Sequence, residues 1–335
     1  MEQIEPPQPV RQEPFEFTGS GADYFRIWIV NIALTIVTVG IYSPWAKVRR
    51  LQYFYRNTRL AGSSFDYHGR PVAILKGRLI AFAIIAVYNV AGKFNPILAI
   101  VVAIPIVIAL PWILRQSLRF RLRYSSWRGL RFSFRGNLAG AYRVFLLWPI
   151  LTAVSLYTLG PMWHQRLKRY QHDNSAFGAT PFRFTASVGS FYGPYVRALL
   201  MLLGLAAVAG VLFGIAGLGA GGYGKRAAAM LIGFAIFAAM FAAFSILIGP
   251  YLVARIQNLV WNNTTLGPHS FRSNLQARKL AWIALSNLFL IVVTIGLYMP
   301  FAAVRLARYR VSLSLIHISE PTRLRRISYA VFCLK

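Results

Sequence analysis

Seven apolar stretches, at residues 24–43, 76–90, 96–114, 142–163, 195–217, 227–248 and 280–301, have or approach the length a helix needs to cross a bilayer. Roughly 20 residues suffice at a rise of about 1.5 Å each. No other feature restricts the fold as much. A chain of 335 residues that is 57% hydrophobic and only 13% charged is too apolar for a soluble domain of that size. The net charge of +29 points at first to nucleic acid. Lys and Arg, however, sit in short clusters between the apolar runs, where they suit lipid phosphate better than a nucleic-acid face. The expected partners are therefore membrane lipids with anionic head groups. No nucleic acid and no cofactor are expected, and the sequence names no protein partner.

The basic segments share a grammar. Proline followed by an aromatic residue or Met occurs at Pro44-Trp45, Pro111-Trp112, Pro161-Met162, Pro250-Tyr251 and Pro300-Phe301. Four of these prolines have a phenylalanine 21 residues on, at Phe65, Phe132, Phe182 and Phe271, and Arg near the fifth position, at Arg49, Arg115, Arg166 and Arg255. Asn with Ser or Thr precedes a glycine at Asn57-Thr58, Asn174-Ser175 and Asn263-Thr264. The intervals Phe15 to Pro44, Phe132 to Pro161 and Phe271 to Pro300 each cover 29 residues and hold one apolar run; Phe65 to Pro111 and Phe182 to Pro250 hold two. Equal spacings of this kind imply duplicated units.

The fold expected from this pattern is an all-α polytopic membrane protein. It has about seven transmembrane helices in internal repeats, a single span plus a two-span hairpin, with amphipathic basic-aromatic segments at the interface. The expected division is an acidic, Pro-rich disordered tail at 1–14, three-span repeats at 15–131 and 132–270, a truncated one-span repeat at 271–312, and a tail at 313–335. Three spans per repeat place successive repeats in opposite orientations. With the N-terminus outside, the inner segments hold 21 Lys and Arg and the outer ones 12. A competing arrangement makes the single-span intervals re-entrant, so that all five basic segments face the cytoplasm.

Both ends differ from the rest. The N-terminal tail lacks the basic start and cleavage site of a signal peptide, so the first apolar run is expected to be retained. From about Leu313 the chain, LSLIHISEPTRLRRISYAVFCLK, resembles translated sequencing-adapter read-through. The grammar predicts a phenylalanine at position 321, where Pro321 stands. Cys333, the single cysteine, lies in this stretch, so thiol chemistry carries no part of the argument.

The segment from Phe15 to Gly69, with Thr38, Gly40, Tyr42, Pro44 and Trp45, then Arg49 and the N-T-x-L-x-G-x-x-F run from Asn57 to Phe65, resembles the signature of the YjgN-like family of bacterial inner-membrane proteins. The resemblance covers residues 15 to 311. It implies a multi-pass protein of the bacterial inner membrane and brings no catalytic residues with it.

Little in the chain suggests catalysis. His68, His164, His172 and His269 are scattered, Asp66 and Asp173 are isolated, and no nucleophile elbow or phosphate-binding Gly-Lys motif occurs, so no enzyme and no metal site are expected. The candidate lipid and interface anchors are Trp45, Arg49, Arg50, Tyr53, Trp112, Arg115, Arg166, Tyr170, Tyr251, Arg255 and Arg305. Asn31 and Asn287, each 16 residues after its unit's phenylalanine, form a candidate intramembrane polar site. Two functions fit: a transport or lipid-handling pathway between inverted repeats, or a scaffold whose basic segments bind anionic lipids or partner proteins.

Overall fold

The computed structural model describes residues 11–218 and 223–318. The order strand, helical hairpin, strand occurs five times. The first unit is β1 (Arg11–Phe17), α1 (Gly21–Val37), α2 (Ser43–Arg56) and β2 (Thr58–Leu60); the second is β3 (Ser63–Tyr67), α3 (Pro71–Phe94), α4 (Pro96–Arg123) and β4 (Ser125–Trp127). In the third, β5 (Leu130–Phe134) leads into α5 (Leu138–Tyr142), a π-helical turn (Arg143–Leu147) and α6 (Trp148–Val154), and the chain returns through α7 (Gly160–Asp173) to β6 (Ser175–Phe177). The fourth has β7 (Thr180–Phe184), α8 (Val188–Leu218), α9 (Tyr223–Ala243), a second π turn (Phe244–Ile248), α10 (Gly249–Asn262) and β8 (Thr264–Leu266). The fifth has β9 (His269–Ser273), α11 (Ala277–Val293), α12 (Met299–Ser312) and β10 (Ser314–Ile318).

The two strands of each unit pair antiparallel, each unit's second strand pairs with the next unit's first, and β10 pairs with β1. Ten strands thus close a barrel. The all-α, seven-span expectation is overturned. The first two junctions between units are two-residue turns with left-handed backbone, Ala61 (φ 46°) with Gly62 (φ 73°) and Arg128 (φ 48°) with Gly129 (φ 78°), while the next two have one such residue each, Gly178 and Gly267 (φ 57° both). Both pairs have the primed geometry that suits the twist of a hairpin.

The grammar's phenylalanines fill the barrel. Phe15, Phe65, Phe132, Phe182 and Phe271 follow one another round the inside with ring centroids 6.2, 6.4, 6.5 and 6.1 Å apart. Opposite them in register stand Leu60, Trp127, Phe177, Leu266 and Ile316. Each Pro-to-Phe interval therefore runs from the start of a returning helix, through two short strands, to the next inward ring. Strand β1 begins at Arg11, inside the stretch expected to be tail, and β10 takes up the first residues of the stretch that resembles read-through. Beside β10, β1 with Phe15 holds the place of a sixth ring; residues 1–10 and 319–335 lie outside the described residues.

Beyond the barrel the helices continue the ring. Each packs on its neighbours in chain order, and α12 packs on α1. A closed barrel puts all five basic segments on one side of any membrane, so the split of 21 against 12 and the opposed orientation of successive repeats do not hold. Among the described residues, four helices are long and apolar enough to cross: Pro71–Phe94, Pro96–Arg123, Val188–Ile215 and Met230–Asn262. They form the two long hairpins. The other three hairpins turn back early, at Val39 (φ 49°) and Gly40 (φ 87°), Leu156 (φ 51°) and Tyr157 (φ 65°), and Ile295 (φ 50°) and Gly296 (φ 89°). Thr38, Ser155 and Thr294 lock these turns, each side-chain oxygen accepting from the backbone N–H of Tyr42, Leu159 or Tyr298. The apolar run 24–43 looks like one span because the left-handed turn sits inside it.

Candidate functional site

Five returning helices, α2, α4, α7, α10 and α12, carry the chain back to the barrel. Their prolines, Pro44, Pro111, Pro161, Pro250 and Pro300, are all buried. Fourteen residues after each stands a Ser or Thr: Thr58, Ser125, Ser175, Thr264 and Ser314. Its hydroxyl donates to the carbonyl four residues back, at 2.8, 2.8, 2.6, 2.7 and 3.1 Å. Those bonds satisfy a carbonyl the helix end would leave unpaired, and they fix which face of each helix continues onto the barrel's inner face.

On that face α7 carries His164, Lys168 and His172, α10 carries Gln257 and Trp261, and α12 carries Arg310. All of them line one cavity of about 500 Å³, completed by Tyr195 of α8 and apolar residues of α10. Trp261 packs its ring 5.3 Å from that of Phe271, and His172 stacks on Phe184, so the cavity adjoins the barrel's aromatic filling. Burial, reinforced by the Lys168 charge, holds the imidazoles of His164 and His172 down to about 4. Burial also lowers the Lys168 ammonium, with Arg121 of α4 adding to the effect. Arg310 is lowered by burial, and its Nε is buried without a partner. The lining contains no Asp or Glu. Asp173, on the same helix, is already engaged by the Phe184 N–H at 2.7 Å and lies 3.8 Å from Arg169.

The predicted anchors divide into two groups. Arg49, Arg50, Trp112 and Arg255 are exposed, with Arg49 over the Tyr42 ring and Arg255 over Tyr251, and Trp45 stacks on Tyr42. The rest brace the fold. Tyr53 and Tyr170 donate to the carbonyls of Ser20 and Asn137 at 2.6 and 2.9 Å, closing the loop ahead of their own unit's outgoing helix. Arg115 donates to the Gly136 carbonyl at 2.6 Å, and Arg166 lies over Trp148. Asn31 and Asn287 are both buried but do not meet: Asn287 donates to the Ala302 carbonyl and accepts from Arg305, which also donates to Ser286, whereas the Asn31 Oδ1 has no partner. In the sequence His164 and His172 stand only among four scattered histidines, and Lys168, Gln257 and Arg310 go unmarked. Their signal was the helical spacing, since positions 3, 7, 10 and 11 after the proline share a face with the Ser or Thr at position 14.

Over residues 12–324 the chain matches the family described as "Bacterial protein of unknown function (DUF898)". The chain belongs to this family. The "Inner membrane protein YjgN" of Salmonella typhimurium is 25% identical over 337 aligned positions, covering 88% of this chain and 85% of that protein. Those of Escherichia coli O157:H7 and K12 are each 31% identical over 160 residues, 48% of this chain. The matched part of this chain spans about two fifths of the length of these E. coli relatives, 40%. No solved structure matches. With four apolar helices long enough to cross a bilayer, this member of the family is an inner-membrane protein.

Proposed function

We propose that the protein binds anionic head groups on its barrel side and handles lipid in that leaflet of the inner membrane. The depth of the three short hairpins carries this reading. From Trp28 to Val39, α1 and its turn rise about 17 Å, roughly half of a hydrocarbon core about 30 Å thick. The tips are bare and apolar: Val39 is 91% exposed, Leu156 86% and Ile295 94%. Such hairpins enter one leaflet and turn inside it, while their basic bases stay at head-group depth. Of the 33 Lys and Arg before Leu313, 30 lie in or beside the barrel, and only Lys93, Lys225 and Arg226 sit at the far ends of the long hairpins. That asymmetry supports a cytoplasmic barrel. The aromatic filling argues against an aqueous pore along the barrel axis and in favour of lipid movement at the hairpins. Protein reconstituted with fluorescent phosphatidylglycerol tests the reading: it should speed exchange or transbilayer movement over empty vesicles. Unchanged rates, with no preference for phosphatidylglycerol over phosphatidylcholine in copurified lipid, would sink it.

A second reading, a scaffold, rests on Arg131, Arg183 and Arg272, exposed on the barrel's outer face. None forms an ion pair among the described residues. A partner recovered by pull-down and lost on changing these three to Glu would favour it.

A further inference from the structure

The lumen between the returning helices contains cationic charge that the chain does not neutralise. Lys168 comes from α7 and Arg310 from α12, helices separated around the ring by α8, α9, α10 and α11, yet both line the same cavity. Lys168 forms no hydrogen bond or ion pair among the described residues, and the Arg310 Nε is buried and unpartnered. No carboxylate lines the space. Partly buried cations without counter-charge are costly unless something supplies it, so the cavity favours a bound anion.

We infer that this lumen binds a phosphate-bearing anion, with Lys168 and Arg310 on its charge and Gln257 as a neutral donor. A guanidinium fork and an ammonium lining one cavity suit a tetrahedral, multiply accepting oxyanion better than a single carboxylate. At about 500 Å³ the space is that of a small-molecule pocket, ample for a phosphate with the polar part of a head group. Trp261, Leu252 and Ile256 supply an apolar wall for whatever the phosphate carries. The chemistry fits either the phosphodiester of an anionic lipid or a soluble phosphate compound.

This site deepens the lipid-handling reading by naming the group its lumen takes, and it is tested by ligand retention, not by lipid movement. Full-length protein in a neutral detergent is titrated with inorganic pyrophosphate and, separately, with phosphatidylglycerol in mixed micelles, with chloride and phosphatidylcholine as controls. Thermal shift and native mass spectrometry give the readout. K168Q/R310Q should weaken phosphate-ligand binding about tenfold or more, as expected for losing two charge-assisted contacts. R119Q/R123Q removes the same charge from exposed positions of α4 and should change binding by less than about threefold. Should the double variant fail to fold, single K168Q and R310Q carry the same comparison, and Q257L tests the cavity at constant charge. Phosphatidylglycerol retained without pyrophosphate identifies a head group, and the reverse a soluble phosphate. No binding of either, equal binding of chloride, or equal loss in the surface variant overturns the site. Binding lost in K168Q/R310Q while lipid movement persists would keep the site and separate it from the transport reading.

Discussion

Gly40 turns the first short hairpin at φ 87°, with nothing within 4 Å of where its Cβ would lie. Its cost of substitution is therefore conformational alone, and Gly40→Ala should lower stability by about 1–2 kcal/mol, read as a fall in melting temperature in detergent. Tyr157 holds the same place in the third unit at φ 65°, so Tyr157→Gly should raise stability by up to about 1 kcal/mol. Gly160, next to Pro161, is not the counterpart of Gly40; four residues before the proline, where the first and fifth units have glycine, the third has Tyr157. The two lumen histidines give a pH prediction. Their ordinary value of 6.5 is held down to about 4, so between those values the unfolded chain binds protons that the folded chain does not. Stability is full above about 6.5 and falls as pH drops toward about 4. The other titratable groups lining the cavity are Lys168, Arg310 and Tyr195. The loss at pH 5 should reach about 2 kcal/mol for each ring at most, and melting curves at pH 7.5 and 5 should converge in part in His172→Gln.

Among the elements, the short strands were the least legible. β2, β4, β6 and β8 have three residues each, too few for a period of two to show, and Arg59 of β2, like Arg131, Arg183 and Arg272 of β5, β7 and β9, reads naturally as part of a basic interfacial helix. What the sequence did carry was position: the four phenylalanines 21 residues beyond a proline join Phe15 in the barrel's inner ring, although their spacing suggested only a duplicated motif. Phe132 touches Phe65, Phe177 and Phe182. Phe132→Ala should cost about 3 kcal/mol and Phe132→Leu considerably less. The Ser and Thr at the helix ends are equally structural. Thr264, buried to 0% exposure, donates to Val260, so Thr264→Val, which keeps the shape but removes the donor, should cost about 1–2 kcal/mol. An arrangement of lipid-facing hydroxyls would predict no such loss.

At the scale of the whole molecule, apolar length misled, because a bilayer-spanning helix and a leaflet-deep hairpin draw on the same residues and differ by one left-handed turn. Where the apolar runs alternate one with two along the chain, the structure has short hairpins alternating with long ones. Once the barrel closes, the positions of single cysteines become predictable. In a Cys333→Ser background, cysteines at Arg59 and Asp173, on different units' barrel ends, should react with an impermeant maleimide from the same side, reached only after spheroplasts are opened. A cysteine at Lys93, at the far end of α3, should react in intact spheroplasts. Cysteines at Val39 and Ile295 should resist labelling from either side while still reacting with a membrane-permeant reagent, because their hairpins turn within one leaflet. Labelling of Arg59 and Asp173 from opposite sides would break the barrel. Labelling of Val39 from the Lys93 side would instead make the short hairpins true crossings, and with them would fall the leaflet depth that supports lipid handling.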